Sequence, residues 1–200
     1  MYGRSTFTIT PIYSTMLELN FDPFPVLETE RLVLRRPTLE DAQDYFALRS
    51  NVDAMKHIAK PIQTTIEETK SLIYKINEMI NFNDGIGWAV CFKHDRKMIG
   101  SVSFHRVEKE HYRAEIGYML HPDHWKQGII SEAVGALIDY GFNALKLHSI
   151  EAHIDPANMG SEKVLQKFNF VKEAYYKENY FYAGQFLDTA VYSLVNRSSQ

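Results

Sequence analysis

The 200-residue chain has a single cysteine, so no intramolecular disulfide can stabilise its fold. It contains no run of 18 apolar residues, the length at which a transmembrane helix is expected. Its first 20 residues lack the basic region and following apolar run of a signal peptide. From these absences we expect no membrane association and a cytoplasmic location.

An excess of basic residues is also missing, because 22 Lys and Arg stand against 25 Asp and Glu for a formal net charge of −3. A general nucleic-acid-binding protein usually shows a strong basic excess, so we expect none of that activity. His121 and His124 have a spacing that suggests zinc, but no cysteine pair or third ligand accompanies them, and we expect no metal.

The composition that remains is 45% apolar, 13% aromatic and 24% charged, which is typical of a folded protein. We predict an N-terminal arm over residues 1–24, one domain over 25–196 and a short tail over 197–200. The arm is rich in Ser, Thr and Tyr, and it is either loosely ordered or added to the sheet as an extra strand.

Hydrophobic periodicity within the domain predicts the order β-α-α-β-β-β-α-β-α-β-β, an α+β fold with a mostly antiparallel sheet. Turns are expected at residues 94–96 and 183–185, and Asn169 fits the left-handed residue that ends a helix. The predicted strands cover 32–34, 88–92, 98–106, 112–120, 150–154, 175–182 and 187–195; helices are predicted to begin after Thr38, Thr65, Gly128 and Asn158.

The segment Trp125-Lys-Gln-Gly128 joins a predicted strand to a predicted amphipathic helix. The first amides of a helix lack intrahelical partners and lie at the positive end of its dipole, so such a junction can bind a phosphate. Gly128 would let the backbone approach the anion, and Lys126 adds positive charge. The same pattern also occurs where a chain simply turns, and the segment alone does not separate the two interpretations.

Several blocks between residues 27 and 170 together resemble one family. They are Leu27-Glu-Thr-Glu-Arg-Leu-Val-Leu-Arg-Arg-Pro37, Ala114-Glu-Ile-Gly-Tyr118, Trp125-Lys-Gln-Gly128, Ser131-Glu-Ala133, Ile150-Glu-Ala-His-Ile-Asp-Pro-Ala-Asn158 and Ser161 to Phe170. In this order and spacing they resemble the Gcn5-related N-acetyltransferases (GNAT), and within these the branch that acetylates ribosomal-protein N-termini. The resemblance implies the GNAT fold, a central mixed sheet with splayed strands flanked by about four helices.

The resemblance further implies acetyl-CoA as cosubstrate, with no metal. The coenzyme diphosphate would lie on the loop after the splayed strand, and the pantetheine arm along that strand. The residues implied are Tyr118, Met119, Leu120, Trp125, Lys126, Gln127, Gly128, Ile129, Ile130, Ser131, Asn158 and Ser161. A main-chain amide near Met119 is also the implied oxyanion donor.

Three positions depart from the family's usual pattern. Trp125 replaces a Gln or Arg, as is familiar in the ribosomal-protein branch, and Ile130 replaces a small residue and could crowd the diphosphate. Leu165 stands where many relatives carry a tyrosine general acid. Ser161 matches a serine used in the ribosomal-protein branch, so the resemblance implies it as the acid for the departing thiolate, with helix capping beside Asn158 as the alternative.

Acetyl transfer to an amine also requires a base, because only the neutral amine attacks a thioester. Glu115 is the candidate, and its alternative is an ion pair with Arg113 or another surface charge. Glu178 and Tyr180 are candidates for facing the acceptor amine, or else ordinary hairpin positions.

Other polar and reactive side chains have more ordinary interpretations. Lys163 and Lys167 either meet a coenzyme phosphate or form a solvated helix face. Cys91, in an apolar strand, is expected to be a buried thiol. The histidines of the predicted strands, His105 and His153 among them, are expected to pack or hydrogen-bond.

The resemblance thus implies direct acetyl transfer from acetyl-CoA to a primary amine, and within the ribosomal-protein branch to a protein N-terminal α-amine. Small amines such as polyamines, amino acids or antibiotics remain open as acceptors. A non-catalytic module that binds coenzyme A also remains open, as does a homodimer.

Overall fold

The computed structural model describes residues 16–197. Its strands are β1 (Leu27–Glu28), β2 (Leu32–Arg35), β3 (Ile86–Phe92), β4 (Asp95–Glu108), β5 (Arg113–Leu120), β6 (Ser149–Ile154), β7 (Val171–Tyr182) and β8 (Gln185–Val195). Its α-helices are α1 (Ala42–Arg49), α2 (Val52–Met55), α3 (Ile66–Asn81), α4 (Ile129–Asn143) and α5 (Met159–Lys167).

All eight strands belong to one sheet in the order β1-β2-β3-β4-β5-β6-β8-β7. Strands β5 and β6 are parallel and every other neighbouring pair is antiparallel, which confirms the predicted α+β fold. The parallel pairing covers only Arg113 to Glu115 against Ser149 to Glu151. Beyond Glu115 the two strands separate, and this gap positions the candidate site.

Local capping explains where the helices begin. At α3 the Thr65 hydroxyl accepts the Glu68 amide at 3.4 Å, and the Glu68 carboxylate accepts the Thr65 amide at 3.2 Å, a reciprocal capping box. At α5 the Asn158 side chain accepts the amide of Ser161 at 3.0 Å. The predicted starts after Thr65, Gly128 and Asn158 are therefore confirmed.

Two details of the predicted order were wrong. The turn between β3 and β4 is Lys93-His94 rather than residues 94–96, because Asp95 already pairs with Phe92. The short elements β1 and α2 were not predicted, since two and four residues are too few to show a hydrophobic period. Asn169 does adopt the expected left-handed conformation, with φ of 61°.

Two hydrophobic cores lie against the sheet. The larger one contains α4 and fully buried strand residues such as Trp88, while the smaller one lies beneath α1 and α3. No helix within residues 16–197 is long and apolar enough to cross a membrane.

The described part of the arm packs against the larger core. Leu17 and Phe21 are only 5% and 3% exposed, and the Leu17 amide donates to the carbonyl of Lys109. Residues 16–24 form no strand, so an added strand is absent from this part of the arm. Residues 1–15 of the predicted arm and 198–200 of the predicted tail lie outside the described residues.

Candidate active site

At the gap between β5 and β6, main-chain groups of β5 have no strand partner among residues 16–197. The amide of His121 donates to the carbonyl of Ile99, and Met119 lies opposite Ser101 in the same register. Along an antiparallel pair, successive residues direct their main-chain N–H and C=O groups alternately toward the partner strand and away from it. The main-chain groups of Met119 therefore face β4, and those of Tyr118 and Leu120 face the gap. The predicted main-chain donor near Met119 is therefore better placed at Tyr118 or Leu120.

A cavity of about 300 Å³ lies at this gap. It brings together five of the predicted site residues, namely Glu115, Tyr118, Met119, Asn158 and Ser161. The rest of its wall comes from α1, from the segment after α2, from β4 and from the end of β6; this part includes Arg49, His57, Ser101, Ser103, His105, His153 and Asp155.

The hydroxyls of Tyr118 and Ser161 form a hydrogen-bonded pair in this cavity, with 2.6 Å between the two oxygens. Ser161 is 9% exposed, and its amide is already capped by Asn158. Burial raises the pKa of Tyr118 to about 12, although the hydrogen bond with Ser161 acts in the opposite direction. The phenol is therefore protonated at neutral pH and can donate to the serine oxygen.

The structure thus supplies a phenol that sequence reasoning missed. Tyr118 was expected to contribute only its backbone, yet its side chain reaches Ser161 from β5. Leu165, where relatives carry a tyrosine, is fully buried in the core. The capping side chain is that of Asn158, which accepts from the Ser161 amide, whereas the Ser161 hydroxyl contacts Tyr118 instead.

Glu115 is held by two cationic or potentially cationic groups from β4. Its carboxylate accepts from Arg106 Nη1 at 2.8 Å and lies 3.3 Å from His105 Nε2. Burial opposes ionisation, but hydrogen bonding from His105 and the charges of His105, His153 and Arg106 outweigh it and lower the pKa of Glu115. The ion pair that was the alternative for Glu115 is therefore present, with the exposed Arg106 in place of Arg113, which binds Glu108 and Glu151.

The loop before α4 has the features of an anion site. Gly128 has a φ of +76°, a conformation that favours glycine, and a methyl group there would meet only Arg31 Nη2, at 3.5 Å. No side chain of the described residues caps the N-terminus of α4. The amides of Ile129, Ile130 and Ser131 therefore lack partners within the helix.

Other side chains of the loop have defined positions. The Trp125 indole donates to the carbonyl of Leu120 at 2.8 Å, and Gln127 Nε2 donates to the carbonyl of Asp123 at 2.9 Å. Lys126 is exposed, while Ile130 is partly buried against the larger core. The loop is thus attached to the end of β5, which fixes it relative to the gap.

Arg31 lies beside this loop and was not singled out from the sequence. Its Nε is 2.6 Å from Glu132 Oε2, and its Nη1 donates to the carbonyl of Gln127 at 3.1 Å. Glu132 also accepts a hydrogen bond from the hydroxyl of Thr29, so this carboxylate links the first turn of α4 to the β1–β2 connection.

A groove along α4 continues past Gly128 to Ser131 and Lys167. Lys163 is exposed on α5.

Glu178 and Tyr180 lie on the outermost strand, β7, and neither belongs to the described residues that line the cavity. The Glu178 amide donates to Asp188 Oδ1 at 2.7 Å, at a residue with positive φ, and Tyr180 pairs with Leu187. The structure therefore does not bring these two candidates to Glu115 and Ser161.

Cys91 is 1% exposed and burial raises its pKa to about 11, as expected of an unreactive buried thiol. His105 and His153, expected to pack or hydrogen-bond, contact Glu115 and Glu151 respectively and also line the cavity. The sequence signal for this wall of the cavity is the alternation of Ser101, Ser103 and His105 along β4, which places polar side chains on one face of the strand.

Within residues 16–197 no group of three or more His, Cys, Asp or Glu side chains is arranged to hold a metal ion.

Comparisons with known proteins point to one family. A family model described as an acetyltransferase (GNAT) domain matches residues 31–171. YoaA, an uncharacterized N-acetyltransferase of Bacillus subtilis, is 36% identical over 86% of this chain and 97% of its own length. These similarities confirm the resemblance that the motifs suggested.

Two shorter matches come from proteins with named acceptors. The ribosomal-protein-serine acetyltransferase of Escherichia coli is 35% identical over 52% of this chain and 58% of its own length. The spermidine N(1)-acetyltransferase of Vibrio cholerae is 27% identical over 46% of this chain and 54% of its own length.

Solved structures share the fold. An acetyltransferase of the GNAT family from Bacillus anthracis has a TM-score of 0.76 and 28% identity, covering 86% of this chain and 98% of that one. The microcin C7 self-immunity acetyltransferase, solved with acetyl-CoA and AMP, has a TM-score of 0.76 and 22% identity, covering 84% and 94%. At that identity the second likeness bears on the fold alone.

Proposed function

This chain belongs to the GNAT family of N-acetyltransferases, and we propose that it transfers an acetyl group directly from acetyl-CoA to a protein N-terminal α-amine. One observation carries the proposal: the Tyr118–Ser161 hydroxyl pair and Glu115 line the same cavity, at the gap between β5 and β6.

The single buried cysteine, Cys91, requires no oxidising compartment, and we propose a cytoplasmic location.

The residues of the loop fit acetyl-CoA, which supplies the activated acetyl thioester. The uncapped amides of Ile129, Ile130 and Ser131 would hold the diphosphate, with Arg31 and Lys126 as nearby cations. The main-chain groups of Tyr118 and the amide of Leu120 would bond the pantetheine arm, while the Leu120 carbonyl already accepts from the Trp125 indole.

Ser161 acts as the proton donor to the departing thiolate. The Tyr118 hydroxyl lies within hydrogen-bond distance of both the Ser161 carbonyl, at 3.3 Å, and Ser161 Oγ, at 2.6 Å, where either oxygen can donate. In the proposed reaction Tyr118 donates to Ser161 Oγ, which frees the serine hydrogen to point at the sulfur. A phenol whose pKa is about 12 keeps its proton at neutral pH and so maintains this orientation. An amide of β5 facing the gap stabilises the negative charge that develops on the thioester oxygen.

Glu115 receives the proton of the attacking amine, directly or through one water. An α-amine has a pKa of ~7.7–8.0, so it is already partly neutral at physiological pH. The base is needed only as the C–N bond forms, when the nitrogen becomes acidic. The lowered pKa of Glu115 keeps its carboxylate ionised for that step.

A protein acceptor is supported by the ribosomal-protein-serine relative, whereas the spermidine relative supports a polyamine. The charges of the cavity favour the protein acceptor over the polyamine. Its carboxylates are already paired, Glu115 with Arg106 and Asp155 with His57, so they are poorly placed to receive a polycation.

The test measures free thiol released from acetyl-CoA by the full chain with three acceptors: a peptide beginning with Ser, the same peptide with its α-amine blocked and a lysine free, and spermidine. We expect turnover with the first peptide alone. Equal turnover of the blocked peptide would overturn the α-amine assignment, and faster turnover of spermidine would overturn the protein acceptor.

A further inference from the structure

Arg49, in the last turn of α1, is a partly exposed cation in the wall of the cavity. Its Nε is buried and has no hydrogen-bond partner among residues 16–197. Within the same residues its guanidinium forms none of the ion pairs found elsewhere in the protein. The main chain is fixed at this point, because the Arg49 carbonyl accepts the amide of Gln63 at 3.1 Å.

The other charges of the cavity do not compensate Arg49. Glu115 is engaged by Arg106 and His105, and Asp155 Oδ2 lies 2.7 Å from His57 Nδ1. The Arg49 guanidinium keeps its charge because arginine does not lose its proton in proteins, and its buried Nε donor without a partner among residues 16–197 is costly. An anion that enters the cavity is therefore the natural partner of Arg49, and a planar carboxylate matches its paired donors.

We infer that Arg49 recognises a carboxylate on the acceptor, close in sequence to the amine that is acetylated. This inference rests on the proposed function and narrows its substrate class to N-terminal segments with Asp or Glu near the α-amine. The acceptor amine lies toward Glu115 and Ser161, and the carboxylate lies against α1. A cavity of about 300 Å³ has room for only the first residues of a peptide, so the acidic residue is one of these.

The test compares C-terminally amidated peptides that differ only by Asp or Asn at the second or third position. We expect the wild-type protein to favour an Asp peptide by about 10- to 100-fold in kcat/KM, the range for a charge-assisted hydrogen bond. Arg49→Gln should reduce this Asp/Asn ratio below about threefold, and Arg49→Lys should retain part of it.

Lys56→Gln is the matched control, because it removes a positive charge from an exposed residue beside His57 without altering the cavity wall. It should leave the Asp/Asn ratio unchanged. A wild-type ratio near one, or a ratio that survives Arg49→Gln, overturns the inference. Rejection of both peptides with preference for free aspartate over its α-amide would support carboxylate recognition while overturning the protein acceptor. Preference for spermidine would overturn both.

Discussion

Tyr118 contributes a hydroxyl that the family's usual helix position does not provide in this chain. Leu165 on α5 is part of the core, and the phenol reaches Ser161 from the neighbouring strand instead. Because the two hydroxyls touch, their contributions to the reaction should be coupled rather than independent.

We predict that Ser161→Ala lowers kcat by about 100-fold, as expected for loss of a general acid. Tyr118→Phe should lower kcat by about 10-fold, because it removes only the bond that orients the serine hydrogen. In the Ser161→Ala background, Tyr118→Phe should cause no further loss of kcat, measured by thiol release at saturating substrates.

Tyr192→Phe is the control. The Tyr192 hydroxyl donates to Glu162, which lies on α5 as Ser161 does, but Tyr192 does not belong to the cavity wall. It should leave kcat within about twofold of wild type. Losses that multiply in the Ser161→Ala, Tyr118→Phe double variant would show that the hydroxyls act separately.

The limits of sequence reasoning are clear at single residues. Glu115 was found as a strand carboxylate, but its partner Arg106 was not, because β4 carries a register shift between His105 and Glu108. Nothing in the sequence indicates that Arg49 has no ion-pair partner among residues 16–197. That depends on where β5 and the end of β6 place the two carboxylates of the cavity, Glu115 and Asp155.

At the scale of elements, the α4 N-terminus combines a positive-φ residue with uncapped amides. Gly128→Ala should strain the backbone by about 1–2 kcal/mol and place a methyl group where the diphosphate would approach. We predict that the Kd for acetyl-CoA rises by about 10-fold, measured by isothermal titration calorimetry.

Gly184→Ala separates strain from binding. Gly184 has a φ of +84° in the β7–β8 turn, and an added Cβ there meets nothing within 4 Å. This variant should lose a similar free energy of unfolding and keep the affinity of the wild type for acetyl-CoA. Equal affinities in the two glycine variants would rule out a coenzyme site at Gly128.

Elements with chemical start signals were predictable, and elements without them were not. Thr65, Gly128 and Asn158 mark their helices because each residue type suits a helix N-terminus. The four residues of α2 depend on tertiary contacts such as the burial of Met55, which no local pattern encodes. The separation of β5 from β6 was predicted from the family resemblance, because the sequence of one strand does not show where the neighbouring strand diverges from it.

At the scale of the whole molecule, residues 16–24 contribute to the same core as the domain. Residues 1–24 were assigned to an arm because they lack periodicity, yet Leu17 and Phe21 contact the larger core. An irregular segment can still bury large side chains when its polar main chain finds partners. Here the Phe21 amide donates to Asn83 Oδ1 at 3.0 Å.

Phe21→Ala therefore tests whether this segment stabilises the domain. Phe21 is 3% exposed, so its loss should lower the free energy of unfolding by about 3–5 kcal/mol in urea denaturation. Phe82→Ala removes the same type of side chain at a position that is 71% exposed, so it should change the free energy of unfolding by less than about 0.5 kcal/mol. If the two variants unfold at the same urea concentration, residues 16–24 only cover the domain. If Phe21→Ala alone unfolds early, the folding unit extends N-terminally beyond residue 25, and truncation at that residue would remove part of the core that supports β3 and α4.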